Sequence, residues 1–299
     1  MIHVILNPAS GTAGQPETAK QVASLFDVAG VAVRVYQVGA PSDISGIVHQ
    51  ALDADRAIQA IVAGGGDGTV NAIASALVGG PTPLGILPLG TLNHFAKDLH
   101  IPLDLAQAVD TIARGRTAQV DVGRVNDRMF LNNSSIGVYP NIVERRERLR
   151  AEGHRKWPAL AMATLEVLRR EGEVSARVNV DGRAIATRTP FVFVGNNEYQ
   201  VEGIRLGARS RLDAGKLFAY LAPRVHTRDL PKLFAQALLG RARREQSLQV
   251  LPAGELWIET PYARNIKVAC DGELLVMKTP LHYRSWPGAL NVLVPQTTG

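Results

Sequence analysis

The chain has 299 residues, 46% of them hydrophobic and 20% charged, with a formal net charge of +6. That composition describes a globular protein with a real core and room for two domains. It excludes three classes. There is no apolar run long enough for a transmembrane helix, the lone Cys270 rules out an internal disulfide and fits a reducing compartment, and the aromatics, 5% of the chain, are not interleaved with basic residues as a nucleic-acid stacking surface requires. The positive balance still favours anionic partners or surfaces.

In chain order, residues 2–6 (IHVIL) read as a first strand, with no signal-peptide pattern ahead of it. Asn7-Pro8-Ala9-Ser10-Gly11 is a polar turn. A helix is expected over 17–28, a strand over 31–38 and a helix over 43–52 opened by Asp43 as N-cap. The stretch 57–77, AIQAIVAGGGDGTVNAIASAL, then changes period. Residues 58–63 form a run that is apolar but for Gln59, three glycines follow, and Val70, Ile73, Ala74 and Leu77 fall at helical spacing. The unit is buried strand, glycine turn, helix. Its turn amides and the positive helix end suit phosphate, and Asp67 among those donors suits a Mg²⁺-phosphate complex better than a bare anion. Two common labels fail: no Lys-Ser/Thr pair follows the last glycine, and Thr69 stands where G-x-G-x-x-G needs glycine.

Residues 84–87 read as a fourth strand ending in Pro88-Leu89-Gly90-Thr91-Leu92-Asn93, and 103–114 as a helix capped by Asp104. Alternating strands and helices imply a mostly parallel sheet covered on both faces, with ligands at the carboxyl ends of its strands. The turns at 7–11, 64–69 and 90–93 all sit at such ends. From about residue 117 short strand-like pieces recur, among them AQVDVGRV, MFLNNSSIGV, AIATRTPFVFVG, KLFAYL, NIKVAC and LNVLV. Asp181-Gly182 and Asp271-Gly272 are hairpin signals. This half reads as a mainly antiparallel β-sandwich interrupted by helices at 159–170 and 227–242. The expected division is an α/β domain over 1–120 and a β-rich domain over 121–284, with 285–299 returning to the first.

GGGDGTVN, then LPLGTLNHFAKDLHIP, then a β-rich half ending in CDGELL, resembles the diacylglycerol kinase catalytic-domain family, and within it the bacterial soluble lipid kinases related to sphingosine and ceramide kinases. The glycine turn alone is shared with NAD kinases and phosphofructokinases; the segment 89–96 selects the lipid-kinase branch. The resemblance implies MgATP-dependent phosphorylation of a lipid hydroxyl, diacylglycerol-like, with nucleotide between the domains, in a cytoplasmic enzyme of phospholipid metabolism working at the inner face of the membrane. It assigns nucleotide contacts to Asn7, Ser10, Gly11, Gly65, Gly66, Asp67, Gly68, Thr69, Asn71, Gly90, Thr91 and Asn93. Plain turns explain Asn7-Pro8 equally well, and a helix cap explains Asn93. Asp271, in the DGE turn, is implied as the base, with Glu273 assisting it or contacting the metal; alone, Asp-Gly reads as a hairpin turn. Asp67, Asp121 and Asp213 are the metal candidates. Asp121 lies in an apolar strand, where an acid needs a partner or a cation; a structural role is the alternative.

Two departures bear on this. His94 stands where the family has Asp, and Ala214 replaces the second acid of an LDDG pattern, which leaves Asp213 beside Lys216. They motivate a competing reading, a nucleotide- or lipid-binding regulator; a second competitor is a NAD-kinase-like transferase. The basic clusters at Arg145, Arg146, Arg148, Arg150, Arg155 and Lys156, and at Arg241, Arg243 and Arg244, are candidates for docking on anionic lipid, though Glu144, Glu147 and Glu152 also fit a solvated helix face. A homodimer is left open.

Overall fold

A computed structural model describes residues 1–9, 11–14, 17–54, 58–137, 140–141, 174–180, 182–202, 205–221, 249–261 and 263–296. The chain divides into two compact units, Met1–Val122 with Pro287–Gly299, and Gly123–Trp286.

The first unit runs β1 (Ile2–Leu6), α1 (Thr18–Val28), β2 (Val33–Gln37), α2 (Ile44–Ala54), β3 (Ala60–Gly65), α3 (Asp67–Leu77), β4 (Leu84–Pro88), α4 (His94–Asp98), α5 (Leu105–Arg114) and the start of β5 (Arg116–Val125). Its parallel strands lie in the order β2-β1-β3-β4. β1, β3 and β4 are buried along their whole length, whereas β2 has only half-buried and exposed positions, as an edge strand does. Strands buried on both faces need mostly apolar residues, which is why these segments read as apolar runs; His3 of β1 is the exception, its ring Nδ1 hydrogen-bonded with the Tyr36 hydroxyl. Helices supply the cover, α1 packing beside α5 and α2 beside α3. The order reverses direction between β1 and β3, which makes the carboxyl ends of these two strands the topological switch point, the place where such sheets bind ligands.

In the second unit β6 (Arg128–Phe130), β7 (Asn133–Gly137), β8 (Val174–Val180), β9 (Arg183–Thr189), β10 (Phe191–Asn196), β11 (Tyr199–Glu202), β12 (Arg205–Arg209), β13 (Leu217–Leu221), β14 (Gln249–Ala253), β15 (Glu255–Glu259), β16 (Asn265–Cys270), β17 (Glu273–Lys278) and β18 (Leu281–Val294) follow. One antiparallel sheet has the order β14-β13-β10-β7-β16-β17, and a second contains β18-β15-β8-β9. A core that includes Val125, Phe130, Ile136, Val178, Val194, Leu256, Val268 and Tyr283 draws on both sheets, as in a sandwich. The Asp271-Gly272 pair joins β16 to β17 as a two-residue hairpin flanked by Cys270↔Glu273; β8 and β9 pair up to Val180↔Arg183, and Asp181 lies outside the described residues.

Several expected elements differ. The segment MFLNNSSIGV is two strands, β6 and β7, separated at residues 131–132. The last strand begins at Leu281 rather than near 290, and its far end pairs in parallel with β4, Val292 opposite Leu84. Asp43 does not cap α2 in the expected way: its Oδ2 accepts from the amide of Ala40, because the 3-10 turn Pro41–Asp43 directs the carboxylate backward. Asp104 does cap α5, its Oδ1 accepting from Gln107 N at 3.0 Å. The helices expected at 159–170 and 227–242 lie outside the described residues.

Two outcomes follow from the packing of the second unit. A Cβ added at Gly123 would overlap the ring of the fully buried Phe130. Gly123→Ala is expected to lose about 1–3 kcal/mol, seen as a lower urea midpoint at unchanged slope; an unchanged midpoint would contradict the packing. Burial pushes the Cys270 thiol up to about 12, outweighing its bond to Ser134. At pH 8 iodoacetamide should therefore label Cys270 only as fast as the protein unfolds, and rapid labelling of folded protein would count against this.

Candidate active site

The first unit gathers the three polar turns at the switch point. The amide of Asn7 donates to Gly64 O at 3.0 Å, and its side-chain Nδ2 donates to Thr69 Oγ1 at 2.9 Å, which ties the end of β1 to the first turn of α3. Its Oδ1 accepts from Ala9 N at 3.1 Å and shapes the 7–11 turn. The third turn touches the second at its glycines: a Cβ on Gly90 would overlap Gly66 Cα. Only a residue without a side chain permits that approach. A side chain on Gly11 would likewise meet Leu89 O. Asn93, 8% exposed and at φ 50°, closes the third turn: Oδ1 accepts from Gly90 N, and Nδ2 donates to Pro88 O and Gly90 O. The Asn93 side chain is thus spent inside its own turn, where it sets the position of Gly90.

Asp67 opens α3, and its Oδ1 accepts from Phe95 N at 3.2 Å, joining the second turn to α4. The first amides of α3 have no partners within the helix and carry its positive end. A Cβ at Gly68 would meet nothing within 4 Å, so the turn is open on that side. Thr91 and His94 are exposed. Asn71 lies one turn into α3, where its Oδ1 and carbonyl accept from Ser75 Oγ. Ser10 lies outside the described residues, as do the basic clusters between 145 and 156 and between 241 and 244.

The second unit holds the other candidates. Asp271 and Gly272 have φ of 45° and 86°, the left-handed pair that a two-residue hairpin demands. The hairpin turns the Asp271 carboxylate inward onto the segment before β7. Oδ2 accepts from Leu131 N at 2.7 Å, and Oδ1 accepts from Asn132 N and Asn133 N, each at 2.9 Å. Asp271 N in turn donates to Asn133 O. Taken as a whole the residue is half-buried, and the carboxylate is its enclosed part. Burial pushes that carboxyl above the ordinary aspartate range, while the three amides and the charge of Arg209 pull it back. The hairpin reading of Asp-Gly holds, and the turn geometry aims the carboxylate at residues 131–133.

Arg209 was not singled out by the sequence. It is 2% exposed and holds the same segment from the other side, Nη1 donating to Leu131 O at 2.7 Å and to Asn196 O at 3.0 Å, Nη2 to Asn132 Oδ1 at 2.7 Å. Its guanidinium lies 5.4 Å from the centre of the Tyr199 ring. One arginine among 33 basic residues carries no local signal of burial.

The remaining acids stand apart. Glu273 is exposed and pairs with Arg128 at 2.9 Å, a surface bridge. Asp213 is exposed and held by Arg211 Nε at 2.8 Å. Asp121 is 2% exposed, and its Oδ1 accepts from Gly288 N at 2.9 Å, bracing an irregular point of β18. Among the described residues no three His, Cys, Asp or Glu side chains gather at a metal-binding site. Also among the described residues, no helix is long and apolar enough to cross a membrane.

Known proteins with this organisation share both halves. Residues 1–125 match the diacylglycerol kinase catalytic domain, and residues 135–294 match the YegS C-terminal NAD kinase beta sandwich-like domain. A protein of Klebsiella pneumoniae (strain 342) named "Probable lipid kinase YegS-like" is 30% identical over 290 residues, 95% of this chain and 93% of its own length. A diacylglycerol kinase of Staphylococcus haemolyticus (strain JCSC1435) is 36% identical over 136 residues, 45% of this chain and 41% of its own. The crystal structure of a diacylglycerol kinase from Bacillus anthracis str. Sterne superposes with a TM-score of 0.71, covering 98% of this chain and 96% of that one at 20% identity, a likeness of fold. With one domain match spanning the α/β half, another the sandwich, and a full-length relative, the chain belongs to the diacylglycerol kinase family of lipid kinases, in its YegS-like branch.

Proposed function

We propose that this protein transfers the γ-phosphoryl group of MgATP to the hydroxyl of a diacylglycerol-like lipid. The observation that carries the reading is Asp271, a carboxylate fixed by three consecutive amides at a hairpin tip in a chain of this family. The first unit serves the nucleotide. The open side of the turn at Gly68, the amides of α3 and the meeting of Gly66 with Gly90 suit a phosphate chain. For Mg²⁺ the donor set is one carboxylate, Asp67, beside that cradle. This fits an ion bound through one or two carboxylates and the substrate's phosphates. Such an ion supplies charge neutralisation on the phosphates. Asp121, almost fully buried, and Asp213, ion-paired with Arg211, are weaker candidates as ligands.

In the second unit Asp271 accepts the proton of the lipid hydroxyl as its oxygen forms a bond to the γ-phosphorus. The bond from that phosphorus to the β,γ-bridging oxygen breaks, and ADP leaves with the electron pair. Glu273, exposed and paired with Arg128, is the weaker candidate for the proton transfer. The product is a phosphorylated lipid of the kind phospholipid synthesis consumes. A lipid acceptor places the enzyme at the cytoplasmic face of a membrane, and the basic clusters at 145–156 and 241–244 are candidates for that contact.

The test is transfer of labelled γ-phosphate from MgATP to a panel of acceptors in mixed micelles, with NAD as a water-soluble control. Transfer to diacylglycerol should exceed that to other acceptors, and Asp271→Asn should lower kcat about 10²–10⁴-fold while leaving ATP affinity intact. Phosphorylation of NAD alone would replace the lipid reading. Because Asp271 must be ionised to act, kcat/KM should fall on acidification through a pKa above the ordinary aspartate range; a limb at the ordinary value would argue against the enclosed carboxylate as base. Gly90→Ala forces the third turn away from Gly66. It should weaken ATP binding on the order of tenfold by calorimetry, the size of a strain near 1.4 kcal/mol, and unchanged affinity would remove these turns from the nucleotide site.

A further inference from the structure

We propose that Arg209 is a positioning residue for the phosphoryl-transfer reaction: its guanidinium fixes the segment 131–133 whose amides direct the Asp271 carboxylate. The inference rests on Asp271 being the base.

The connection runs through individual peptide groups. Leu131 O and Asn132 N belong to one peptide. Arg209 Nη1 donates to that carbonyl at 2.7 Å, and the N–H of the same peptide donates to Asp271 Oδ1 at 2.9 Å. A cation on the oxygen side of a peptide polarises it and strengthens its N–H as a donor. The next peptide repeats the pattern with a neutral donor: Asn132 O accepts from Asn196 N at 2.9 Å, and Asn133 N donates to Asp271 Oδ1. Leu131 O also accepts from Asn196 Nδ2 at 3.0 Å, and Asn132 Oδ1 accepts the second arm of the guanidinium. Two of the three peptides facing the acid are therefore held from behind.

Burying an arginine is costly unless its donors are satisfied. Here three guanidinium bonds go to neutral acceptors of this segment and of β10. An arginine serving only to pack β12 would not need to converge on the backbone that carries the acid. The planar fork reaches Leu131 O, Asn196 O and Asn132 Oδ1 together, which a lysine cannot do. Small displacements of a catalytic group are expensive in rate, so the fixing is a catalytic matter as well as a structural one.

The experiment measures kcat and KM for MgATP with diacylglycerol in mixed micelles, alongside thermal unfolding, for Arg209→Met, Arg209→Lys, Asn132→Ala and Asp271→Asn. Rates are normalised to the fraction that binds ATP. Arg209→Met should lose kcat on the order of 10- to 100-fold, the scale of a lost charged hydrogen bond, with KM for MgATP within about twofold. Arg209→Lys should recover part of that loss. Asn132→Ala, which removes one arm of the fork, should lose kcat several-fold and keeps the question answerable if Arg209→Met does not fold. Normalised turnover at the wild-type level in a folded Arg209 variant, or in Asn132→Ala when the Arg209 variants do not fold, would overturn the proposal. So would a loss of rate accounted for wholly by a smaller ATP-binding fraction. If Asp271→Asn itself keeps wild-type turnover, the base assignment fails instead, and the two failures are told apart.

Discussion

An acid withdrawn from water needs donors, and at Asp271 they are three backbone amides in a row. Consecutive amides converge on one carboxylate only where the chain bends, so residues 131–132 cannot continue β6 into β7. Bending in turn leaves carbonyls facing the other way, and these need donors of their own. Arg209 and the side chain of Asn196 meet that need. The antiparallel sheet makes the arrangement possible by placing Asn133 beside Gly195 and Ser134 beside Cys270. Hairpin, acid, bend and guanidinium are one set of mutual obligations, and removing any member exposes an unsatisfied polar group.

The first unit follows a different logic. Its turns are positioned by absence of side chains rather than by a charge. Gly66 and Gly90 approach because neither carries a Cβ, and Asn7 and Asn93 then stitch each turn to its neighbour or to itself. A polyanion is best held by backbone amides arrayed along it, and bulky residues would keep those amides at a distance. The charged groups here are few, which suits a nucleotide that brings its own cation.

Much of this was legible in the sequence for local reasons. Apolar runs identified the doubly covered strands, and the cluster of glycines at 64–66 identified the turn at the switch point, because glycine is costly unless a close approach requires it. Asp271-Gly272 announced a hairpin. What could not be read was long-range. Pro287-Gly288 looks like the end of a strand, yet β18 runs through it, with Gly288 at φ 59° and its amide taken by Asp121. That partner explains an acid in an apolar strand that otherwise suggests a cation. Arg209 was invisible for the same reason: its partners are at residues 131, 132 and 196, and no periodicity links them. Asp43 misled because its local spacing fits a cap while the preceding turn reverses its direction.

β18 has one consequence for how the protein comes into being. Its last residues complete the first unit's sheet beside β4, yet they are translated only after the entire sandwich. While the ribosome is still at work, β4 has an open flank of unpaired amides and carbonyls, the kind of edge that recruits other chains. The nascent α/β half therefore depends on the last residues of β18 for closure. A release of the polypeptide before β18 emerges would leave a sticky fragment rather than a smaller working domain.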